Sequence, residues 1–447
     1  MTTQEDHDAR AKHQENRGSG GKMRQNTLLV GSQSRSLIAS LFVSLLVLTS
    51  TFHSDATAST SATKKWTIMV FLNADNNLES YGYEDLKEMA KIGSTDEVDV
   101  VVQFDWIKTK GTKRIYIEKG NEKVVEEMEE QDMGDEKVFT DFVDWGMKNY
   151  PAEKYVVVMW NHGAGWSKSA KANVVKSISY DDTSGNHMST NELQIGLEAL
   201  VATSGKKIDV LSFDACLMAM AEVADSLTGV ADYMVASEEV IPGDGYAYDD
   251  WFKAFMTASN GKELDFSTEK LLKDMVESYG KSYSGGSQGT RSITLSAFDL
   301  SKMESLKASI NAWVSGVNKS TVLTKEMLKE AAKSAQAYYD SDYRDLASYM
   351  KNIKDKVMSM DPSWIVEDES LVTLTDNVLN AADDVVMENY ASSSLKKSEG
   401  LAIHLPAGYY GSSNWTKSSK RRDAYMNISW GKTSTWVEHL DYVFFAN

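Results

Sequence analysis

The 447-residue chain has a single cysteine, Cys216, so it holds no intrachain disulfide, and a secreted form has to depend on its core rather than on crosslinks. No H-E-x-x-H motif is present, which removes the usual sign of a zinc peptidase. Positive charge is scarce: 47 Lys and Arg against 65 Asp and Glu leave a formal net charge of −18. That balance disfavours phosphate backbones, so nucleic acid is not an expected partner. Long apolar runs are also missing, because a bilayer span needs about 20 residues. The nearest candidate, Leu37 to Leu48, has only 12; Arg24 and Arg35 precede it and Ala56-Thr57-Ala58 follows. This pattern fits a secretory signal, with a retained signal anchor as the alternative. Residues 1–36 are polar and aperiodic and are predicted to be disordered, and a start at Met23 would give a leader of ordinary proportions. Residues 1–58 are therefore assigned to a leader, and the mature chain is expected to lack a stable membrane span and to be secreted, periplasmic or at the cell surface.

The composition that remains is globular, with 42% hydrophobic and 25% charged residues, enough for one large domain or two moderate ones. From Lys64 onward, apolar strands alternate with amphipathic helices. Strands are predicted at 66–72, 98–104, 154–160, 208–213, 233–236, 292–298 and 401–405, with a hairpin at 113–128. Helices are predicted up to Ile92, at 138–150 and 190–204, directly after Cys216, at 249–258 and 265–282, and near 300–317, 324–338, 342–359 and 370–390. Such alternation implies an α/β fold: a mostly parallel central sheet with helices on both faces and chemistry at the strands' carboxyl ends. The catalytic domain is placed at 64–299, with a C-terminal subdomain at 300–447 packed on it.

Two strand ends carry reactive side chains. Lys154 to Trp160 runs into Asn161-His162-Gly163-Ala164-Gly165, and Ile208 to Phe213 runs into Asp214-Ala215-Cys216. If the strands are parallel neighbours, His162 and Cys216 meet as base and nucleophile. A helix beginning at Cys216 would favour a thiolate there through its dipole and free N–H groups. The backbone N–H groups of Cys216 and Gly163 are candidate oxyanion donors, since glycine permits close approach of a carbonyl. Asp214, two residues before the cysteine, lies on the same strand face, where a carboxylate is unhelpful to a thiolate and makes sense facing a cationic substrate group.

The two strand-end motifs, with Tyr180 to Gly185 between them, Ala236 to Gly245 after them and Gly400 to Pro406 near the end, resemble the clostripain family of caspase-like cysteine peptidases. The resemblance covers most of the chain from Lys65. It implies a caspase-like fold, a Cys-His dyad and cleavage after Arg or Lys in an acidic S1 pocket, with Asp214 at its base and Asp244 as a second acid. Caspases carry Gln-Ala-Cys where this chain has Asp-Ala-Cys, so cleavage after aspartate is not implied. The family's zymogens imply self-cleavage in the loop at 163–180, where Lys176 is the leading site; the halves should stay associated, and the protein is expected to act as a monomer. Calcium is the one cofactor that the resemblance makes worth testing, with Asp181-Asp182 and Asp249-Asp250 as candidate oxygen donors against a reading as helix caps. Two rivals are a catalytically silent binding protein on the same fold and a serine esterase using Ser287 of Gly285-Gly-Ser-Gln-Gly289, although that motif lies between helix and strand, the reverse of a nucleophile elbow. His187, His404 and His439 are isolated and read as structural.

Overall fold

The computed structural model describes residues 63–107, 111–167, 178–258, 263–360, 369–407, 415–416 and 419–445. The leader and Lys176 lie outside them. Residues from Ser61 onward form one compact unit.

In chain order, β1 (Lys64–Ala74), α1 (Glu79–Ile92), β2 (Val98–Trp106), the hairpin β3 (Lys113–Glu118) and β4 (Asn121–Glu127), α2 (Glu136–Asn149) and β5 (Ala152–Trp160) come first. A short ribbon of β6 (Ile178–Asp181) and β7 (Asn186–Met188), α3 (Thr190–Ser204), β8 (Ile208–Asp214), α4 (Ala221–Ser226) and β9 (Ala231–Ala236) follow. Then come α5 (Tyr248–Met256), α6 (Thr268–Ser282), the small strands β10 (Ser284–Gly286) and β11 (Gly289–Thr290), and β12 (Thr294–Asp299). The last third holds α7 (Met303–Val317), α8 (Lys325–Ser334), β13 (Tyr343–Asp345), α9 (Leu346–Met358), a helix at Glu369–Val385, β14 (Val386–Ala391), β15 (Ala402–His404) and short helices ending at Phe444.

Nine strands make the central sheet, in the order β14-β12-β9-β8-β5-β1-β2-β3-β4. The five central strands from β9 to β2 are mutually parallel, and antiparallel pairs flank them on both sides. Alternation along β1 explains its unbroken apolar sequence: Ile68, Val70 and Leu72 join the core under α1, α5 and α6, whereas Met69 and Phe71 join the core that holds α2, α3, α4 and α7. Both faces are buried, so no position in the strand centre is free to be polar.

Three local expectations are corrected. The helix after Cys216 begins at Ala221, because Leu217 takes a left-handed φ of 66° and its N–H goes to the Glu239 carbonyl. The predicted helix at 370–390 stops at Val385, and Val386–Ala391 instead pairs with β12. Tyr343–Asp345, predicted as the start of a helix, pairs with β15. The β12–β14 pairing thus crosses the boundary expected at residue 300.

Glu222 on α4 ties the last third to the sheet. Its fully buried carboxylate accepts the His404 N–H at 2.9 Å and the Tyr425 hydroxyl at 2.6 Å. Burial pushes its pKa up to about 7. The folded protein therefore keeps a proton that the unfolded chain releases near pH 4.5, and this contribution to stability is lost as pH rises through 7. Glu222→Gln should stabilise the protein by up to about 3 kcal/mol at pH 8 and change little at pH 5. Equal effects in chemical denaturation at both pH values would contradict a proton held at Glu222.

Candidate active site

Strands β5 and β8 pair in parallel with Val156 opposite Val210 and Trp160 opposite Asp214. His162 and Cys216 each lie two residues beyond that last pair, so one register delivers both to the same end of the sheet. They line a single cleft of about 760 Å³ with Asn77, Gly163, Tyr180 and Leu217.

Each side chain in the cleft has a local support. The His162 Nε2 lies 2.9 Å from Asn77 Oδ1, and the Tyr180 ring meets the imidazole edge-on at 6.2 Å between centroids. Behind the histidine, Asn161 is buried; its amide donates to the carbonyls of Asn73 at 2.7 Å and Tyr180 at 3.0 Å, and its carbonyl accepts the Tyr180 N–H at 2.7 Å. Cys216 is half-buried, and its thiol faces the Ile241 carbonyl at 3.7 Å. Burial pushes the thiol pKa up and the carboxylates of Asp214 and Glu239 add to this, while the backbone hydrogen bonds of Ile241 and, more weakly, Gly163 oppose it. A Cβ on Gly163 would stand 2.4 Å from the Cys216 carbonyl oxygen and 2.9 Å from its nitrogen, so only glycine brings this backbone against the cysteine.

Two acids near Cys216 are buried, Asp214 and Asp85. Asp214 accepts the Tyr246 N–H at 3.0 Å and the Tyr248 hydroxyl at 3.1 Å, yet burial still raises it to about 7. Asp85, from α1, accepts the Trp160 indole N–H at 2.6 Å, and burial followed by the charge of Asp214 raises it well above the usual carboxylate range. Gly245, at φ 57°, presses between them: a Cβ there would be 2.9 Å from Asp214 Oδ2 and 3.2 Å from Asp85 Oδ2. Asp244 is exposed in the same loop.

Residues 70–442 match the clostripain family. The chain belongs to that family. Clostripain of Hathewaya histolytica is 27% identical to it over 465 aligned residues, covering 85% of this chain and 86% of the relative. Two solved structures share the fold with a TM-score of 0.60. One is a secreted C11 cysteine protease from Bacteroides thetaiotaomicron in complex with an irreversible peptide inhibitor, at 20% identity over 84% of this chain and 99% of the other. The second is an inactive zymogen C11 protease from Parabacteroides distasonis, at 18% identity over 83% of this chain and 98% of the other. As a member of the clostripain family, the protein is a cysteine endopeptidase with a caspase-like α/β fold.

In this clostripain-family peptidase His162, Gly163 and Cys216 converge on the cleft, whereas Asp214 and Asp244 are not among the residues that line it. The thiolate-favouring helix start expected at Cys216 is not there, because the helix begins five residues later and burial acts in the opposite direction. Ser287 lies in the short β10–β11 ribbon and donates to Asp250 Oδ2 at 2.8 Å, a contact that supplies no histidine base for an esterase. His404 and His439 are buried, with His439 lowered to about 3 by burial and bonded to the Tyr349 hydroxyl. Of the acid pairs considered for calcium, Asp181 accepts the N–H groups of Met133 and Ser184, and Asp249 pairs with Lys91 at 2.6 Å. Sequence reasoning missed Asp85 and Asn77. Asp85 sits on the apolar side of an amphipathic helix, between Gly82 and Leu86 on one side and Met89 on the other, and a carboxylate on a buried stripe was the available signal.

Gly163→Ala should lower kcat/KM by about 100-fold or more, since misplacement of a reacting group by about 1 Å has that effect. An unchanged kcat/KM on any peptide substrate would contradict the close approach of the 163 and 216 backbones.

Proposed function

We propose that Cys216 and His162 form the nucleophile and base of a peptidase that cleaves after Arg or Lys. The observation that carries this reading is the β5–β8 register, which gives the two residues one cleft, with the buried Asp214 two residues before Cys216 on the same strand.

Because burial favours the neutral thiol, attack begins with transfer of the thiol proton to His162. The sulfur then bonds to the scissile carbonyl carbon, and the Gly163 and Cys216 N–H groups receive the oxyanion. On collapse, the C–N bond breaks and His162 returns the proton to the leaving amine. Water, deprotonated by His162, next displaces the sulfur and releases the acid product and the thiol. Asn77 Oδ1, 2.9 Å from Nε2, orients the imidazole by a hydrogen bond.

In S1, Asp214 supplies the charge that meets a guanidinium or ammonium, and Asp85 adds a second buried acid where Asp244 was expected to serve from the exposed loop. Two carboxylates buried without a cation repel each other, and a basic P1 group relieves that repulsion. An Arg side chain, with a planar fork of donors, fits a carboxylate better than Lys does.

Secretion through the 1–58 leader and activation by a cut at Lys176 complete the reading. The secreted and zymogen relatives support these two steps. After such a cut, β5 and β8 remain paired, so the two pieces stay together.

Fluorogenic peptides ending in Arg, Lys, Asp or Phe test the assignment. Cys216→Ala should lose roughly 10⁴-fold or more in kcat on Arg and Lys peptides and should show no cut in the loop by intact mass. Full activity in that variant ends the proposal. For Asp214, whose proton leaves near pH 7, KM for Arg peptides should fall as pH rises through 7, and Asp214→Asn should abolish that trend while lowering kcat/KM on basic substrates about 100-fold. Unchanged selectivity in Asp214→Asn would remove it from S1.

A further inference from the structure

Residues 163–167 follow the catalytic histidine outside any helix or long strand, and Gly163 and Gly165 are among them. Glycine-rich backbone has many conformations to lose, so an oxyanion donor carried on it needs outside contacts to stay in place. One such contact is a bridge between Gly163 and Ile178. A second comes from the last third of the chain. The fully buried Tyr343 shares its hydroxyl proton between the Ala164 carbonyl at 2.8 Å and the Ser167 carbonyl at 2.6 Å. Gly165, at a left-handed φ of 64°, packs against the same ring: a Cβ there would stand 2.7 Å from Tyr343 Cε2 and 2.5 Å from Met220 Sδ.

Tyr343 is itself fixed. It stands opposite His404 in the β13–β15 ribbon, and at the start of β15 the Ala402 N–H donates at 2.9 Å to the carbonyl of Ala219, three residues past the nucleophile. Trp166, also fully buried, meets the rings of Tyr425 and His404 edge-on, at 4.8 and 5.3 Å between centroids. One ribbon from the last third thus reaches both the turn after Cys216 and the loop after His162. Buried carbonyls need donors, and here a side chain 179 residues from Ala164 supplies one.

We propose that Tyr343 is a positioning residue of the peptidase: its hydroxyl holds the Ala164 and Ser167 carbonyls so that the Gly163 N–H stays aimed at the oxyanion forming beside Cys216. The proposal rests on the cysteine–histidine mechanism above and adds to it a residue from outside the 64–299 segment. Because the hydroxyl bonds the loop backbone and not the dyad, it acts on the transition state through Gly163 and leaves substrate affinity alone. After a cut in the loop, the covalent link from Ser167 to β6 is gone, and the place of Gly163 depends all the more on contacts such as this one.

Tyr343→Phe keeps the ring and removes the hydroxyl. On Arg and Lys peptides its kcat should fall about tenfold or more with KM unchanged, short of the roughly 100- to 1,000-fold loss that follows removal of an oxyanion donor itself. Alkylation of Cys216 by iodoacetamide displaces iodide at a saturated carbon and forms no oxyanion, so its rate should match wild type. Tyr425→Phe, in the same aromatic cluster, takes a donor from Glu222 and should lower Tm while leaving kcat unchanged. Gly165→Ala crowds the Tyr343 ring from the loop side and should repeat the kcat loss. Wild-type kcat in Tyr343→Phe, or a loss shared equally by Tyr425→Phe, overturns the proposal. If Tyr343→Phe does not fold, wild-type kcat in Gly165→Ala overturns it instead. A wild-type protein that cleaves no Arg or Lys peptide removes the dyad reading, and the proposal with it.

Discussion

The parallel pairing of β5 with β8 is the constraint on which the rest of the site depends. With Val156 opposite Val210 and Trp160 opposite Asp214, His162 and Cys216 emerge side by side. A slip of one residue would turn every side chain of one strand to the opposite face. Here both faces are packed: Val156, Val158 and Val210 fill one core, and Val157, Met159, Leu211 and Phe213 fill the other. Hydrophobic packing across the whole sheet thus fixes the relative position of two polar side chains that lie beyond it.

Beyond the strand ends, hydrogen bonds take over from packing. The Tyr180 carbonyl accepts the side-chain amides of Asn73, Asn76 and Asn161 at 3.0–3.1 Å, which joins the ends of β1 and β5 to β6. Ser179, at a left-handed φ of 60°, is held in that conformation by its hydroxyl bond to the Met133 carbonyl at 2.7 Å and by the Asn73 amide at 3.1 Å. Buried amides are stable only when their donors and acceptors are matched, so the network specifies one loop arrangement. The same arrangement points Asn77 at His162 and places Tyr180 against its ring.

Buried acids collect at this end of the sheet for different reasons. Glu222 is structural, since two donors from the last third of the chain converge on one of its oxygens. Asp214 and Asp85 meet across Gly245, and burial raises both above the usual carboxylate range. Asp75 and Asp105 are fully buried as well, and burial raises Asp105 to about 7.

The sequence by itself determined most of the order of strands and helices, the parallel core and the two strand ends that carry His162 and Cys216, because apolar periodicity and glycine-rich strand ends are local features written in consecutive residues. It also identified the clostripain resemblance, as five motifs kept their order along the chain. It misread Val386–Ala391 and Tyr343–Asp345, where pairing with a distant strand overrides local helical preference. It placed a helix at Cys216, while the backbone there is set by contacts with Ser237 and Glu239. Asp85 and Asn77 acquire meaning only in three dimensions. Their partners lie far away in sequence, as Asp85 with Trp160 and Asn77 with His162 illustrate, and the burial that alters their charge is a property of the assembled layers.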